Sequence, residues 1–206
     1  MDQHNLLLKF KLEKVASLIK PNSVVLDIGC YDGRLKKFIP SCDYYGIDVN
    51  KECIDKLKKQ RIKAKQVDLN KEEIPFKPKK FDYIFLLDIL EHLVDPKKLL
   101  LKLKERLKPH SKLIITLPND YHILNKIRFL FNKSLTENPF NPFGHLHFFP
   151  ISFADSFLKE QGYEILKKEF LAPVKPLILP KGLKNILSNL FPQTFSRNIL
   201  YAVKLS

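Results

Sequence analysis

Apolar positions recur at helical spacing near the start of the chain. Leu6, Leu7, Phe10, Val15, Leu18 and Ile19 predict an amphipathic helix over Asn5 to Lys20, stopped by Pro21 and Asn22. The pattern then changes. Ser23 to Ile28 is a short, nearly unbroken apolar run with Asp27 near its end, which suits a strand buried on both faces. Tyr44 to Val49 repeats the pattern, Ile62 to Val67 alternates, and Phe81 to Leu87 is rich in aromatic and branched residues. Helices are expected over Arg34 to Ile39, closed by Pro40, and over Lys51 to Gln60. Pro96 sits where a helix's first turn tolerates proline, and Leu99, Leu100, Leu103 and Leu107 give that helix its stripe. Lys112 to Leu117 is a fifth strand, ended by Pro118. Strands alternating with helices predict an α/β sheet with parallel pairing.

Beyond Pro118 the alternation loosens. Tyr121 to Asn132 reads as a helix, Glu137 to Pro150 as a loop rich in Pro, Asn and Phe, and Ser152 to Gln161 as a helix ended by Gly162. Glu164 to Leu171 is a strand, Lys181 to Leu190 a short helix and Ile199 to Leu205 a last strand. The expected organisation is one domain over 1–206, with residues 120–150 and 173–197 as insertions forming a lid on the substrate side.

Composition narrows the class. With 45% apolar and 28% charged residues, the 206-residue chain can bury a core, which excludes disorder as its main state. Three cysteines, Cys30, Cys42 and Cys53, are too few and odd in number for a disulfide scaffold and read as reduced thiols. Lysines interrupt the leucines of Asp2 to Lys20, unlike a signal peptide, and the best apolar run, Tyr83 to Leu90, contains Asp88 and is too short for a bilayer. A cytoplasmic protein is expected. The net charge of +14 points to an anionic partner, or to a lysine-decorated solvated surface.

The candidate chemistry begins at Val24 to Gly33, where a buried strand runs into a turn with Gly29 and Gly33 at its ends and then into a helix. Glycine lets backbone approach a ligand closely, and a helix N-terminus offers free N–H groups. Asp48 and Asp68 stand at the ends of the next two strands, so three sites converge on one crevice at the carboxyl edge of the sheet. A carboxylate about twenty residues after the turn is placed to grip ribose hydroxyls, so a nucleoside-containing cofactor is expected. A dinucleotide fits poorly, because Tyr31 and Arg34 occupy the later glycine positions and Asp27 would repel a pyrophosphate while suiting a cationic amino group.

The run Val25 to Gly33 resembles the first motif of class I S-adenosylmethionine-dependent methyltransferases. Phe81 to Leu93 resembles the fourth-strand motif of the subfamily that includes ubiquinone-type small-molecule methyltransferases, and Gly144 to Phe149 its segment after strand five. The resemblance implies a Rossmann-like, seven-stranded, mostly parallel sheet with helices on both faces and an antiparallel last strand. It implies S-adenosyl-L-methionine as cofactor, held by Asp27, Gly29, Cys30, Gly33, Asp48, Val49, Asp68, Leu69, Leu87 and Asp88. In that scheme Gly29 and Gly33 pass the methionine moiety, Asp27 holds its amino group, Asp48 bonds the ribose, Asp68 and Leu69 read the adenine edge, and Leu87 and Asp88 lie near the sulfonium. Tyr31 departs from the family's usual glycine, and it is the one feature that favours a non-catalytic cofactor-binding regulator.

Methyl transfer from a sulfonium needs alignment, and a base if the nucleophile is a hydroxyl. His92, His145 and His147 are the candidate bases, the blander reading being substrate positioning or structural support. Spacing puts His145 and His147 on one side of an extended segment, yet no third metal ligand stands out at sensible spacing, so no metal is expected. Leu87 to Leu90 lacks the proline-rich run of adenine amino methylation, and Asn138 to Phe143 lies too late in the chain to supply it. All cysteines precede Glu72, which excludes the nucleophilic cysteine of cytosine carbon-5 methylation. Residues 171–206 carry five basic residues and no acid among many leucines and isoleucines; the first insertion likewise mixes Lys126, Arg128 and Lys133 with Ile127, Phe129, Leu130 and Phe131. These lids either close the core over the cofactor or serve an amphipathic, lipid-linked acceptor with peripheral contact to an anionic membrane. The expected reaction is methyl transfer to a small or lipid-linked acceptor, at oxygen; RNA or protein is the alternative acceptor, motivated by the charge. Oligomeric state is left open.

Overall fold

The computed structural model describes residues 3–77, 79–134, 144–173, 186–187 and 189–206. The four apolar runs become strands β1 (Val24–Ile28), β2 (Asp43–Asp48), β4 (Phe81–Leu87) and β5 (Leu107–Pro118), and Lys63–Gln66 is β3. Strands β6 (Tyr163–Pro173) and β7 (Ser196–Leu205) complete a seven-stranded sheet in the order β3-β2-β1-β4-β5-β7-β6. Pairings from β3 to β5 are parallel, and β7 runs antiparallel to both its neighbours, as expected.

Each central strand is buried on two faces because its side chains alternate between two apolar clusters. On β4, Ile84 and Leu86 join one cluster and Tyr83 and Phe85 the other. The first is covered by helix α3 (Pro96–Lys104), through Leu99, Leu100 and Leu103, and by α5 (Ile151–Glu160), through Ala154, Phe157 and Leu158. The second is covered by α1 (Gln3–Ala16), whose Leu12 and Val15 are buried while Leu6 and Phe10 of the expected stripe stay exposed. Helix α2 (Lys51–Lys59) seats Ile54 and Leu57 against Cys30 and Ala64. Asn50 caps α2 by accepting from Cys53 N, and Asp95 caps α3 the same way from Lys98 N.

Two expectations change. The helix over Arg34 to Ile39 is one 3-10 turn, Arg34–Lys37, because only six residues separate Gly33 from Pro40. Its start offers no row of free donors: Lys36 N donates to Gly33 O and Arg34 N to Asp32 Oδ1. The anion-binding helix start expected after the Gly-rich turn is therefore absent. Strand β5 begins at Leu107 rather than Lys112, and Leu107 pairs with Phe81 across an irregularity in the β4 ladder. Helix α4 (Ile123–Leu130) forms as expected but buries none of its residues. The loop expected over Glu137 to Pro150 lies outside the described residues up to 143, as does most of the helix expected over Lys181 to Leu190. No helix among the described residues is long and apolar enough to cross a membrane.

Candidate active site

At the carboxyl end of β1 the chain must turn under β2. Gly29 N and Cys30 N both donate to Ile47 O, at 2.8 and 3.0 Å, and Gly29 takes φ +74°. A Cβ on Gly29 would stand 2.0 Å from Ile89 Cδ1, so any other residue would be strained there and would have to displace Ile89. Tyr31 accepts a left-handed φ of 47°, the backbone shape a glycine would adopt there. Its ring is half exposed and lies 4.9 Å from the Arg34 guanidinium, so it stacks at the surface and leaves the crevice open.

Between the ends of β1 to β4 lies a cavity of about 430 Å³, in the range of small-molecule sites. Six of the expected residues line it: Gly29, Asp48, Val49, Asp68, Leu69 and His92. Ile47, Val67, Asn70, Ile89 and Leu93 complete the wall, and strand endings alone did not single these out. Asp48 is aimed by backbone: Oδ2 accepts from Tyr31 N at 2.7 Å and Oδ1 from Asn50 N at 2.8 Å. Asp68 accepts from Asn70 N, and the ammonium of Lys71 at 3.0 Å holds its carboxyl below the ordinary value.

The other expected cofactor residues lie outside that lining. Asp27 is 3% exposed and its Oδ2 accepts from Tyr44 Oη at 2.6 Å; burial pushes its carboxyl up to about 7 despite that bond. Cys30 packs into the α2 core, where burial drives its thiol far upward. Gly33, at φ +70°, faces Leu57 rather than the cavity. Leu87 packs toward the α1 side of the sheet. Asp88 turns the same way: its Oδ1 accepts from Thr116 Oγ1 at 2.6 Å and its Oδ2 is bonded by Lys11 of α1.

A second cluster adjoins the cavity. After β4 the chain makes a 3-10 turn over Leu90–His92, and Glu91 O accepts from Leu146 N and His147 N, at 2.8 and 3.1 Å. Those bonds bring 144–149 beside the turn. His92 Nδ1 donates to Gly144 O at 3.2 Å, and the His92 and His145 rings meet edge to face at 5.1 Å. His145 Nδ1 is 3.4 Å from Asp120 Oδ2, and that carboxylate raises the imidazole above its ordinary value. His147 is turned away from this pair: its Nε2 donates to Leu93 O at 2.9 Å. Glu91 is fully buried, and neither carboxylate oxygen has a hydrogen-bond partner among the described residues. Burial, and then the nearby Asp88 charge, pushes its carboxyl well above the ordinary value. Donor atoms of Glu91, His92 and His145 lie within 4.8 Å of one another, the only such triple among the described residues. Sequence spacing pointed to His145 and His147 as a pair and missed Glu91, Asp120 and Lys11.

Residues 3–168 match the family described as a methyltransferase domain. The chain belongs to this methyltransferase family. The domain is of the kind that uses S-adenosyl-L-methionine as its cofactor. Among curated relatives, protein MJ1123 of Methanocaldococcus jannaschii is 30% identical over 126 residues, covering 61% of this chain and 59% of that one. The tRNA U34 carboxymethyltransferase of Nautilia profundicola is 36% identical over 114 residues, covering 48% and 37%. The methyltransferase thus spans well under two thirds of the length of either relative. Its fold is that of solved S-adenosylmethionine-dependent methyltransferases from Archaeoglobus fulgidus (TM-score 0.61, 21% identity, 98% and 100% coverage) and Clostridium acetobutylicum (TM-score 0.63, 17% identity, 100% and 93% coverage).

The cavity of the methyltransferase suits its cofactor in chemical character. Ile47, Val49, Val67, Leu69 and Leu93 offer an apolar bed for a purine, two carboxylates offer acceptors for hydroxyl and amino hydrogens, and Gly29 admits a chain at backbone contact.

Proposed function

We propose that this methyltransferase methylates a hydroxyl oxygen of a small or lipid-linked acceptor that enters beside His92 and His145. The observation that carries the reading is His92 at the cavity wall with the His145 ring against it, His145 in turn 3.4 Å from the Asp120 carboxylate. Such a pair is placed to activate a hydroxyl, which a sulfonium methyl group requires and an amine or thiolate acceptor needs far less. In this reading Asp48 binds the ribose hydroxyls, Asp68 and the backbone at Leu69 meet the adenine edge, and Gly29 passes the methionine moiety. The cofactor supplies the electrophilic methyl; the protein aligns the oxygen with it and promotes loss of the hydroxyl proton. Asp27 would meet the cofactor's ammonium only through a small opening of the β1 turn. His147 supports the segment from behind.

In this reading the described residues 120–134 and 144–150 belong to a lid on the substrate side, while most of 173–197 lies outside the described residues. Helix α4 supports the lipid-linked acceptor: Leu130 is 82% and Phe131 73% exposed, beside Lys126 and Arg128, a combination that suits an anionic, apolar surface. The second reading is an RNA acceptor, supported by the +14 charge and by the name of the Nautilia relative.

Calorimetry with S-adenosylhomocysteine tests the site. One molecule should bind per chain, and Asp48→Ala should weaken binding roughly 10- to 100-fold, the worth of one or two hydrogen bonds to a charged group. Unchanged affinity in Asp48→Ala would withdraw the assignment. Retention on vesicles of anionic lipid, lost on neutralising Lys126 and Arg128, favours the first acceptor; retention of RNA that falls steeply with salt favours the second.

A further inference from the structure

We infer that Glu91, His92 and His145 form a divalent-cation site that opens on the cofactor cavity. Glu91 is 0% exposed with two oxygens that no described group satisfies, a costly arrangement for a carboxyl unless something binds there. Among the described residues no cation makes a close contact with it. Lys11 is committed to Asp88, and His92 Nε2 stands 4.0 Å from Glu91 Oε1, too far for a hydrogen bond.

The two imidazoles are oriented as metal ligands are. His92 gives its Nδ1 hydrogen to Gly144 O, which leaves Nε2 as a lone pair facing Glu91. His145 has the Asp120 carboxylate 3.4 Å from its Nδ1, near enough to become the ring's support through a small rotation. Around a tetrahedral ion with bonds of about 2.1 Å, ligand atoms stand about 3.4 Å apart. Donor atoms already within 4.8 Å therefore need to close by at most about 1.4 Å, within the reach of side-chain torsions. Two imidazoles and one carboxylate match zinc and neighbouring first-row ions better than magnesium or calcium, which prefer all-oxygen cages.

His92 also lines the cofactor cavity, so the ion's open positions would face it. The site's role, though not its existence, rests on the oxygen-acceptor reading. Bound to the ion, the acceptor hydroxyl loses its proton to solvent more readily. Its oxygen lone pair then forms the bond to the methyl carbon, and the carbon–sulfur pair leaves with sulfur. The imidazoles thus activate the hydroxyl through the ion rather than by taking its proton directly.

The test is titration of chelator-stripped enzyme with cobalt(II), reading its visible d–d absorption, with and without S-adenosylhomocysteine. One cobalt per chain is expected, displaced by zinc, with affinity falling at least tenfold in Glu91→Gln and in His145→Ala. Glu91→Gln keeps the shape of the side chain and removes its charge, so S-adenosylhomocysteine affinity near the native value verifies its fold. Zinc should also raise the unfolding temperature of the native enzyme and not that of Glu91→Gln. No cobalt band and no zinc stabilisation in the native enzyme would overturn the proposal, as would equal binding by both variants. Cobalt bound as expected, with no hydroxyl compound methylated by the zinc-loaded enzyme, would leave the site standing and sink the oxygen-acceptor reading instead.

Discussion

Asp27 makes the stability of this methyltransferase fall as pH rises. The carboxyl is 3% exposed in the middle of the sheet, and burial outweighs the Tyr44 hydrogen bond to hold its value near 7, against 3.8 for the free side chain. In the unfolded chain the group ionises near 4; in the fold it stays protonated until about 7. Between those values the folded state binds more protons than the unfolded one, so stability is full below pH 4 and declines until pH 7 is passed. A difference of about three units corresponds to about 4 kcal/mol, or about 1.4 kcal/mol for each pH unit in the window. Carboxylates held low by lysine or arginine neighbours, such as Asp43 and Asp82, have the opposite sign and act at more acid pH.

Asp27→Asn isolates the effect, because the amide oxygen still accepts from Tyr44 Oη while the charge is gone. Urea unfolding of both proteins at pH 4.5, 6, 7 and 8.5 should give curves that converge at the acid end. The variant should become progressively more stable, by up to about 4 kcal/mol at pH 8.5. A stability difference that stays constant across this range would show that Asp27 titrates normally in the fold, and the account of its burial would be wrong.

The Gly29 turn and the Lys11 pair carry two further expectations. Gly29→Ala should lower the unfolding temperature by roughly 4 °C, from left-handed strain of about 1 to 2 kcal/mol. It should also weaken S-adenosylhomocysteine at least tenfold, since the new methyl drives Ile89 into the cavity; calorimetry showing native affinity would refute this. Lys11→Met leaves Asp88 with Thr116 as its remaining bonded side chain, and should cost about 2 kcal/mol, less than a fully buried pair because Asp88 is partly exposed. A thermal midpoint within 1 °C of the native one would mean the pair is inert.

The parallel strands were legible because burial on two faces writes itself as short apolar runs, and β1, β2 and β4 fall within a residue of where those runs stand. From strand endings, the carboxylates at Asp48 and Asp68 followed directly, and both line the cavity. Asp27 was visible as an acid in an apolar strand, but its destination depends on Tyr44, delivered by the neighbouring strand in register with Val25. Lys11 reads in sequence as one more charge on an amphipathic helix. Only the packing of α1 over the sheet brings it to Asp88, 77 residues away.

The Glu91 cluster marks the boundary between what local pattern encodes and what topology adds. Glu91 stands among Ile89, Leu90 and Leu93, but a glutamate is rarely buried without a partner, so its 0% exposure is not a local inference. Its neighbours are no more legible. Gly144 and His145 follow more than fifty residues later, past the whole of α3, β5 and α4, and Asp120 comes from the end of β5. Their approach is set by two backbone bonds to Glu91 O, which no side-chain spacing announces. Pairing His145 with His147 by alternation was sound reasoning about an extended strand, but this segment is held by a turn instead. The hydrogen bonds to Glu91 O rotate the two imidazoles to different partners, one toward His92 and Asp120 and the other toward Leu93 O.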